Sequence, residues 1–213
     1  MKKYYLFINA ILLILIFSCS GNSQTIKLFT GKYNEAGENG FNIFDLNLDE
    51  GTFKLVSGSD AGPNPTYFCI SKKYCYIYAA NEVMTFNGVK GGGVTTLNYN
   101  VKTGSTAKIN ELAVPNGGPC FISLSAKEDF LFMANYTGGS IAVVKLDDKG
   151  IPLKVTDNII YEEEDGKVSH AHMISTDPSG KRVYVTDLGL NRIVIYNMDT
   201  STGQLHQIQN GIV

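Results

Sequence analysis

The chain has 213 residues, of which 44% are hydrophobic and 18% are charged, and this composition excludes disordered, collagen-like and coiled-coil proteins. Its 18 basic and 20 acidic side chains leave a formal charge of −2 with no basic cluster, so we expect no nucleic-acid partner. The length allows one or two domains with a substantial hydrophobic core.

The first 19 residues predict a secretory signal that is not part of the fold. Two lysines precede an apolar run that is shorter than the roughly 20 residues that a membrane-spanning helix needs. The run ends in Ile16-Phe17-Ser18-Cys19, which resembles a bacterial lipobox, so Cys19 is the expected lipid anchor and the only expected contact with a membrane. Residues 20–25 follow as a polar tether. We therefore expect export and lipid anchoring to the bacterial cell envelope, with a plain signal peptide as the alternative.

Internal repetition organises residues 26–213. In three units, the residue that begins one apolar stretch is followed sixteen positions later by a short polar residue that ends the next stretch. These pairs are Pro65 with Asn81, Pro119 with Asn135, and Ala171 with Asp187, and successive units are 54 and 52 residues apart. Each unit continues through a Gly-containing turn, an apolar strand and a second turn. A more degenerate unit precedes them, beginning at Ile26.

Four short strands per unit predict an all-β protein, a β-propeller of four-stranded blades with about four blades in residues 26–213. A β-sandwich is the alternative, but it does not require a constant offset within each unit. Four blades are the low end of closed propellers. Three arrangements therefore stay open: the four blades close a ring by themselves, a second copy of the chain completes the ring, or a missing C-terminal half does.

Three further cysteines, Cys69, Cys75 and Cys120, would lie in an oxidising compartment if the chain is exported. Cys69 and Cys75 flank a predicted hairpin, so a bridge between them is conceivable. Buried free cysteines in strands are commoner, however, and we predict no disulfide. The acidic run 162–165 predicts a solvated loop, and the three glycines 91–93 predict a flexible blade turn, since no phosphate-binding strand-to-helix setting surrounds them.

The two histidines His170 and His172 are the first catalytic candidates. Alternation along a strand would place both on one face. Imidazole can take a proton from water near neutral pH and return it to a leaving alkoxide, which is what the opening of a lactone requires. Two other roles stay open: hydrogen bonds that hold the blade mouth together, and metal ligation completed by Glu82 or Asp187. Because no third ligand has the usual local spacing, we expect no metal and no other cofactor.

Short polar residues end the same strand in each of the three units, at Asn81, Asn135 and Asp187. Such side chains commonly cap turns, so a structural role competes with substrate binding. The residues that follow the first two, Glu82 and Tyr136, could face a central channel. Glu82 has no acidic counterpart in the other units, so we include it with the catalytic candidates as a residue that could orient a histidine or bind sugar hydroxyls.

Several motifs in this order resemble the seven-bladed β-propeller lactonase family, to which bacterial propeller-type 6-phosphogluconolactonases belong. The resemblance begins at Lys27 and covers only the N-terminal four or so blades of such proteins. It implies a hydrolase that opens a sugar lactone by attack of water, with His170 or His172 as general base. The expected substrate contacts are Asn81, Asn135, Tyr136, Lys167 and Asp187. The motifs are Gly117-Gly118-Pro119-Cys120, Phe132-Met133-Ala134-Asn135-Tyr136, His170-Ala171-His172 and Asp187-Leu188-Gly189-Leu190-Asn191-Arg192.

The chain departs from the family pattern at positions that bear on chemistry. Phe121 stands where the family has a histidine, and Ser169 stands where it has a proline. An Arg-Gln pair expected before His170 is missing, which leaves Lys167 as the only cation nearby in sequence. A lactonase needs a donor or cation for the developing oxyanion. The alternatives are therefore a non-catalytic exported propeller that binds glycan or protein, or an inactive truncated lactonase. Export also makes an uncharged lactone as plausible a substrate as a phosphorylated one.

Overall fold

The computed structural model describes residues 24–213. The predicted signal segment with Cys19, and residues 20–23 of the predicted tether, lie outside the described residues. The first strand begins at Thr25, one residue before the predicted start of the blades. From residue 24 onward all regular secondary structure is β-strand, and this part of the chain has no helix long and apolar enough to cross a lipid bilayer.

Within residues 24–213, seventeen strands form four consecutive antiparallel sheets and one short ribbon. Sheet 1 contains β1 (Thr25–Gly31), β2 (Phe41–Asn47) and β3 (Thr52–Ser59). Sheet 2 contains β4 (Pro65–Ser71), β5 (Tyr76–Asn81), β8 (Gly92–Tyr99) and β9 (Thr106–Val114), with the ribbon of β6 (Thr85–Phe86) and β7 (Val89–Lys90) inserted before β8. Sheet 3 contains β10 (Pro119–Leu124), β11 (Phe130–Asn135), β12 (Ser140–Leu146) and β13 (Pro152–Ile160). Sheet 4 contains β14 (Ala171–Thr176), β15 (Arg182–Asp187), β16 (Arg192–Met198) and β17 (Leu205–Ile212).

Each sheet is a meander whose neighbouring strands follow one another in the chain, as the blades of a propeller do. The prediction of an all-β propeller with four-stranded blades is confirmed for sheets 2, 3 and 4. The offset of sixteen residues corresponds to a cross-strand pair in all three, since Pro65 faces Asn81, Pro119 faces Asn135 and Ala171 faces Asp187.

The predicted turn at residues 91–93 is wrong for two of its three glycines. Gly92 and Gly93 belong to strand β8. A side chain at Gly93 would collide with the ring of Phe86, and one at Gly92 would collide with the ring of Pro119. Glycine is therefore needed here because the ribbon and the next blade pack directly against the backbone of β8.

Successive side chains of the second strand in sheet 3 enter two different hydrophobic cores. In β11, Phe130, Phe132 and Ala134 pack against sheet 4, whereas Leu131 and Met133 pack against sheet 2. Strand β5 divides its side chains in the same way between the cores that it shares with sheets 1 and 3. Because successive strand residues point to opposite faces, a strand that is apolar at every position must lie between two other layers.

Sheet 1 has three strands within the described residues, and β1 takes the place that β5 takes in sheet 2. The backbone N–H of Asn64 donates to Asn34 O after β1, as that of Gly118 donates to Val83 O after β5. One face of sheet 1 packs on sheet 2. The opposite face carries exposed apolar side chains at Ile26, Leu28, Phe53 and Leu55. The predicted closure of the ring, by a second copy or by further blades, would cover this face and stays a prediction.

Replacing a buried aromatic residue between two sheets should cost far more stability than replacing an exposed one. Phe132 is fully buried between sheets 3 and 4, whereas Phe53 is 66% exposed on the outer face of sheet 1. We expect Phe132→Ala to lower the free energy of unfolding by about 3 to 5 kcal/mol, because it removes buried surface and leaves a cavity. Phe53→Ala should change it by less than about 0.5 kcal/mol. Urea unfolding of both variants measures the difference, and equal losses would contradict a core between the two sheets.

Candidate functional site

The same irregularity recurs at the start of the first strand in sheets 2, 3 and 4. The register of each pair shifts so that one residue lacks a cross-strand partner, and these residues are Thr66, Cys120 and His172. A bulge of this kind turns a side chain away from the regular alternation of the strand. The three bulges therefore present a hydroxyl, a thiol and an imidazole from equivalent places in three blades.

The exposed side chain of His172 lines the cavity of most interest for chemistry. This open cavity has a volume of about 470 Å³, and Asn191 and Arg192 also line it. The imidazole lies edge-on to the ring of Tyr136, with the ring centroids 5.7 Å apart and the planes at 88°. The volume of this cavity falls within the range of small-molecule sites. His172 is thus accessible to a ligand and to water.

His170 has a different setting from His172. Its ring stacks on Tyr136 with the centroids 4.3 Å apart, and its Nδ1 lies 3.1 Å from the carbonyl oxygen of that residue. It lines a second cavity, of about 290 Å³, together with Thr137 and Ser169. The expected sharing of one strand face does not describe this pair, because His170 precedes β14 and His172 is the bulged residue.

The carboxylate of Asp187 holds the residues around the two cavities in place. Its Oδ1 accepts hydrogen bonds from the backbone N–H groups of His170, at 2.9 Å, and Leu190, at 3.2 Å. A side chain at Gly189 would collide with the carbonyl oxygen of Val168, so glycine allows this turn to approach the segment that leads into His170. Asp187 is buried, and these bonds are the positioning contacts of a turn.

Asn81 and Asn135, the counterparts of Asp187, are fully buried within the blades. The Asn81 amide donates to the carbonyl oxygens of Ala61 and Pro63, at 2.7 and 2.9 Å, and its Oδ1 accepts from Thr95. The Asn135 amide donates to the Ser140 hydroxyl at 3.0 Å. Neither side chain lines the cavity that contains His172. Their contacts are those expected for residues that hold loops to strand ends.

Arg192 and its neighbour Asn191 line the cavity, although neither is among the candidates predicted from the sequence. The side chain of Arg192 faces two carboxylates. Its Nη1 lies 2.5 Å from Glu164 Oε1, and its Nε lies 3.8 Å from Asp187 Oδ2. Lys167, the only cation expected near the histidines, lies in an exposed turn and lines neither cavity. The signal for Arg192 was its place in the last family-like motif, but its pairing with a residue 28 positions earlier could not be derived from spacing. The acidic run is correspondingly not all free in solvent, because Glu164 pairs with Arg192.

Glu82 is joined to Tyr33 and Thr66. Its Oε2 accepts hydrogen bonds from the Thr66 hydroxyl, at 2.6 Å, and from the Tyr33 hydroxyl, at 3.1 Å. Partial burial, and then the bond to the Glu82 carboxylate, raise the pKa of Tyr33. Among residues 24–213, neither histidine is a hydrogen-bond partner of the Glu82 carboxylate, which could still receive sugar hydroxyls.

The thiol of Cys120 contacts the backbone of sheet 4 and is within electrostatic range of Glu82. Its Sγ is 3.7 Å from the carbonyl oxygens of both Ala171 and His172. Burial, and then the negative charge of Glu82, raise the pKa of Cys120 to about 11. The thiol is therefore almost entirely protonated near neutral pH. Cys69, Cys75 and Cys120 are all free cysteines in the structure.

Phe121, which replaces the histidine of the family pattern, packs against an aromatic residue of the neighbouring blade. Its ring centroid lies 4.4 Å from that of Tyr67, and the planes meet at 31°. Tyr67 is 40% exposed. The two residues occupy the position that follows the bulge in sheets 2 and 3. Two aromatic rings in contact therefore lie where the family resemblance led us to expect an imidazole.

The described residues do not assemble the metal site that was considered for the histidine pair. Among residues 24–213, no group of three or more His, Cys, Asp or Glu side chains is arranged to hold a metal ion. The Nδ1 of His170 faces a carbonyl oxygen, and Glu82 is bound to two hydroxyl groups.

Comparison with known proteins identifies relatives of the same architecture. The family model described as "Lactonase, 7-bladed beta-propeller" matches residues 27–212. A 6-phosphogluconolactonase of Bacillus subtilis is 21% identical over 174 residues, which cover 80% of this chain and 48% of that protein. An uncharacterized protein of Staphylococcus aureus is 28% identical over 180 residues, which cover 80% of this chain and 50% of that protein.

A solved structure of the periplasmic gluconolactonase of Pseudomonas aeruginosa has the same fold. It superposes with a TM-score of 0.77 at 22% identity, over 89% of this chain and 55% of that one. The chain spans about half the length of the curated relatives that it matches. About four of the seven blades of such a ring are therefore represented here.

The raised pKa of Cys120 makes a prediction about thiol reactivity, because only the thiolate attacks an alkylating reagent. With iodoacetamide at pH 8, we expect the exposed Cys75 to react at least about tenfold faster than Cys120. Glu82→Gln removes the neighbouring negative charge and should accelerate the labelling of Cys120 several-fold. Mass spectrometry of the labelled peptides measures both rates, with Cys75 as the internal control. An unchanged Cys120 rate in Glu82→Gln would contradict the electrostatic coupling of the two residues.

Proposed function

The chain belongs to the seven-bladed β-propeller lactonase family, and on that premise we propose that it is a lactone hydrolase that opens a sugar lactone by attack of water. One observation carries the proposal. His172, an accessible base, lines a cavity of about 470 Å³ together with the amide of Asn191 and the cation of Arg192. A base and a hydrogen-bond donor are groups that ester hydrolysis uses.

In the proposed mechanism His172 is the general base. Its imidazole takes a proton from a water molecule as the water oxygen attacks the lactone carbonyl carbon. Negative charge then develops on the carbonyl oxygen, and the exposed amide of Asn191, which also lines the cavity, donates a hydrogen bond to it. When the ring C–O bond breaks, the imidazolium returns its proton to the leaving alkoxide oxygen. The products are the open hydroxy acid and the regenerated base.

The other sequence candidates take supporting roles in this proposal. Tyr136 contacts both imidazole rings and so positions His172 against the cavity. His170 and Asp187 are positioning residues, since one stacks on Tyr136 and the other binds the turn that carries Asn191. Asn81 and Asn135 are not proposed as substrate contacts because they are buried within the blades. Lys167 is not proposed because it lines neither cavity. Glu82, which follows β5 in sheet 2, is retained as a ligand for sugar hydroxyls.

Export to the cell envelope remains part of the proposal. It is supported by the signal-like residues 1–19 with Cys19 at their end. The name of the P. aeruginosa relative places that protein in the periplasm, which agrees with export. A lipid-anchored enzyme would then meet lactones outside the cytoplasm.

A second candidate function, glycan binding without turnover, is favoured by the aromatic pair of Tyr67 and Phe121. The exposed ring of Tyr67 offers an apolar face on which the C–H groups of a sugar can pack. In that case Tyr67→Ala should abolish sugar binding to the chain, and the chain should hydrolyse no lactone.

The proposed mechanism predicts unequal effects for the three histidines. We expect His172→Ala to lower kcat/KM for glucono-δ-lactone by about 10² or more, because general-base assistance is lost. His170→Ala should act mainly on stability, and His206→Ala, on the exposed face of β17, should change neither property. Titration of the released acid measures the rate, and thermal unfolding separates loss of fold from loss of activity. A folded His172→Ala variant with wild-type kcat/KM would rule out this residue as the base.

A further inference from the structure

One carboxylate binds the cation of the His172 cavity directly, and a second carboxylate lies close to it. The side chain of Arg192 is only 11% exposed. Its Nη1 lies 2.5 Å from Glu164 Oε1, its Nε lies 3.8 Å from Asp187 Oδ2, and its guanidinium carbon lies 5.4 Å from the centre of the Tyr161 ring. Three elements thus fix the guanidinium at the wall of the cavity.

The local balance of charge is negative. Arg192 brings one positive charge, and Asp187 and Glu164 bring two negative charges. Asp187 is fully buried in its side chain, and its Oδ1 already accepts two backbone hydrogen bonds. Within the described residues that line this cavity, Arg192 is the one lysine or arginine. An anionic ligand would therefore meet a cation that is already more than neutralised, and it would lose hydration as well.

Glu164 lies on the protein surface, whereas Asp187 is buried. Glu164 is 57% exposed, and it closes a two-residue turn with Lys167 through backbone hydrogen bonds of 3.0 and 2.9 Å. The two central residues, Asp165 and Gly166, have φ values of 49° and 74°, as a tight hairpin turn of the primed type requires. This turn presents the Glu164 carboxylate to Arg192 from outside the blade. Its charge can therefore be removed without disturbing the packing of the sheets.

We infer that Glu164 is a specificity-determining residue that makes the cavity favour uncharged sugar lactones over phosphorylated ones. The inference rests on the proposed function, because it concerns the substrate of the same cavity. Glu164 acts by occupying the guanidinium of Arg192, which a phosphate or carboxylate group would otherwise bind as a bidentate partner. Removing the negative charge of Glu164 exposes that guanidinium to an anion.

The test compares glucono-δ-lactone with 6-phosphoglucono-δ-lactone on the full chain and on two variants. Glu164→Gln keeps the shape and removes the charge. Glu162→Gln removes the same charge from an exposed residue of the same acidic run and is the matched control. We expect the wild-type chain to have the higher kcat/KM for the uncharged lactone. Glu164→Gln should raise the relative kcat/KM of the phosphorylated lactone about tenfold, as expected for loss of a nearby like charge at a partly buried site.

Two results would overturn the inference. One is a wild-type preference for the phosphorylated lactone, and the other is a Glu164→Gln variant whose ratio matches that of Glu162→Gln. Binding of the product acids separates this inference from the proposed function. If the folded chain hydrolyses neither lactone, the proposed function fails. Calorimetry then decides the inference alone: Glu164→Gln should bind 6-phosphogluconate about tenfold more tightly than the wild type does, with a smaller gain for gluconate, which lacks the phosphate. Equal affinities of Glu164→Gln and Glu162→Gln for 6-phosphogluconate would refute the inference.

Discussion

The structure depends on one constraint, which is that the inner strands β5, β11 and β12 of sheets 2 and 3 carry apolar side chains on both faces, and both faces must be covered. In β11 the side chains of Phe132 and Met133 are neighbours in sequence, yet they lie in different cores. A sheet with two apolar faces is unstable alone, so each blade is held by the next. Packing therefore fixes the middle of these inner strands and leaves the strand ends and the connecting turns available for chemistry.

The candidate site follows from that division of labour. Equivalent polar residues at the strand ends secure the loops of their own blades, as the buried amide of Asn81 does. Residues that differ between blades carry the chemical variety, and His172 and Arg192 meet at the edge of sheet 4. Asp187 belongs to both groups of residues. Its carboxylate, at the end of β15, fixes the backbone of His170 and also lies beside Arg192.

Repetition made the fold predictable from sequence, and departures from regularity hid part of the site. The offset of sixteen residues predicted hairpins correctly because it reflects a physical pair, as Pro119 and Asn135 demonstrate. The orientation of His172 was not predictable in the same way, because alternation with a period of two assumes a regular strand and His172 is a bulged residue. The pairing of Glu164 with Arg192 joins segments from different parts of the chain, so local spacing contained no trace of it. The same is true of the stacking of Phe121 on Tyr67.

The three bulges have a consequence for how such a protein can diversify. Thr66, Cys120 and His172 are held by the same backbone irregularity in three copies of one building block. A side chain introduced by point substitution at any of these bulged positions takes the orientation that the backbone of the bulge sets. Duplication of a blade therefore adds one further bulged position and leaves the existing ones unchanged. Evolution, or a protein engineer, can move reactive groups around the rim by exchanging single codons and leave the architecture untouched.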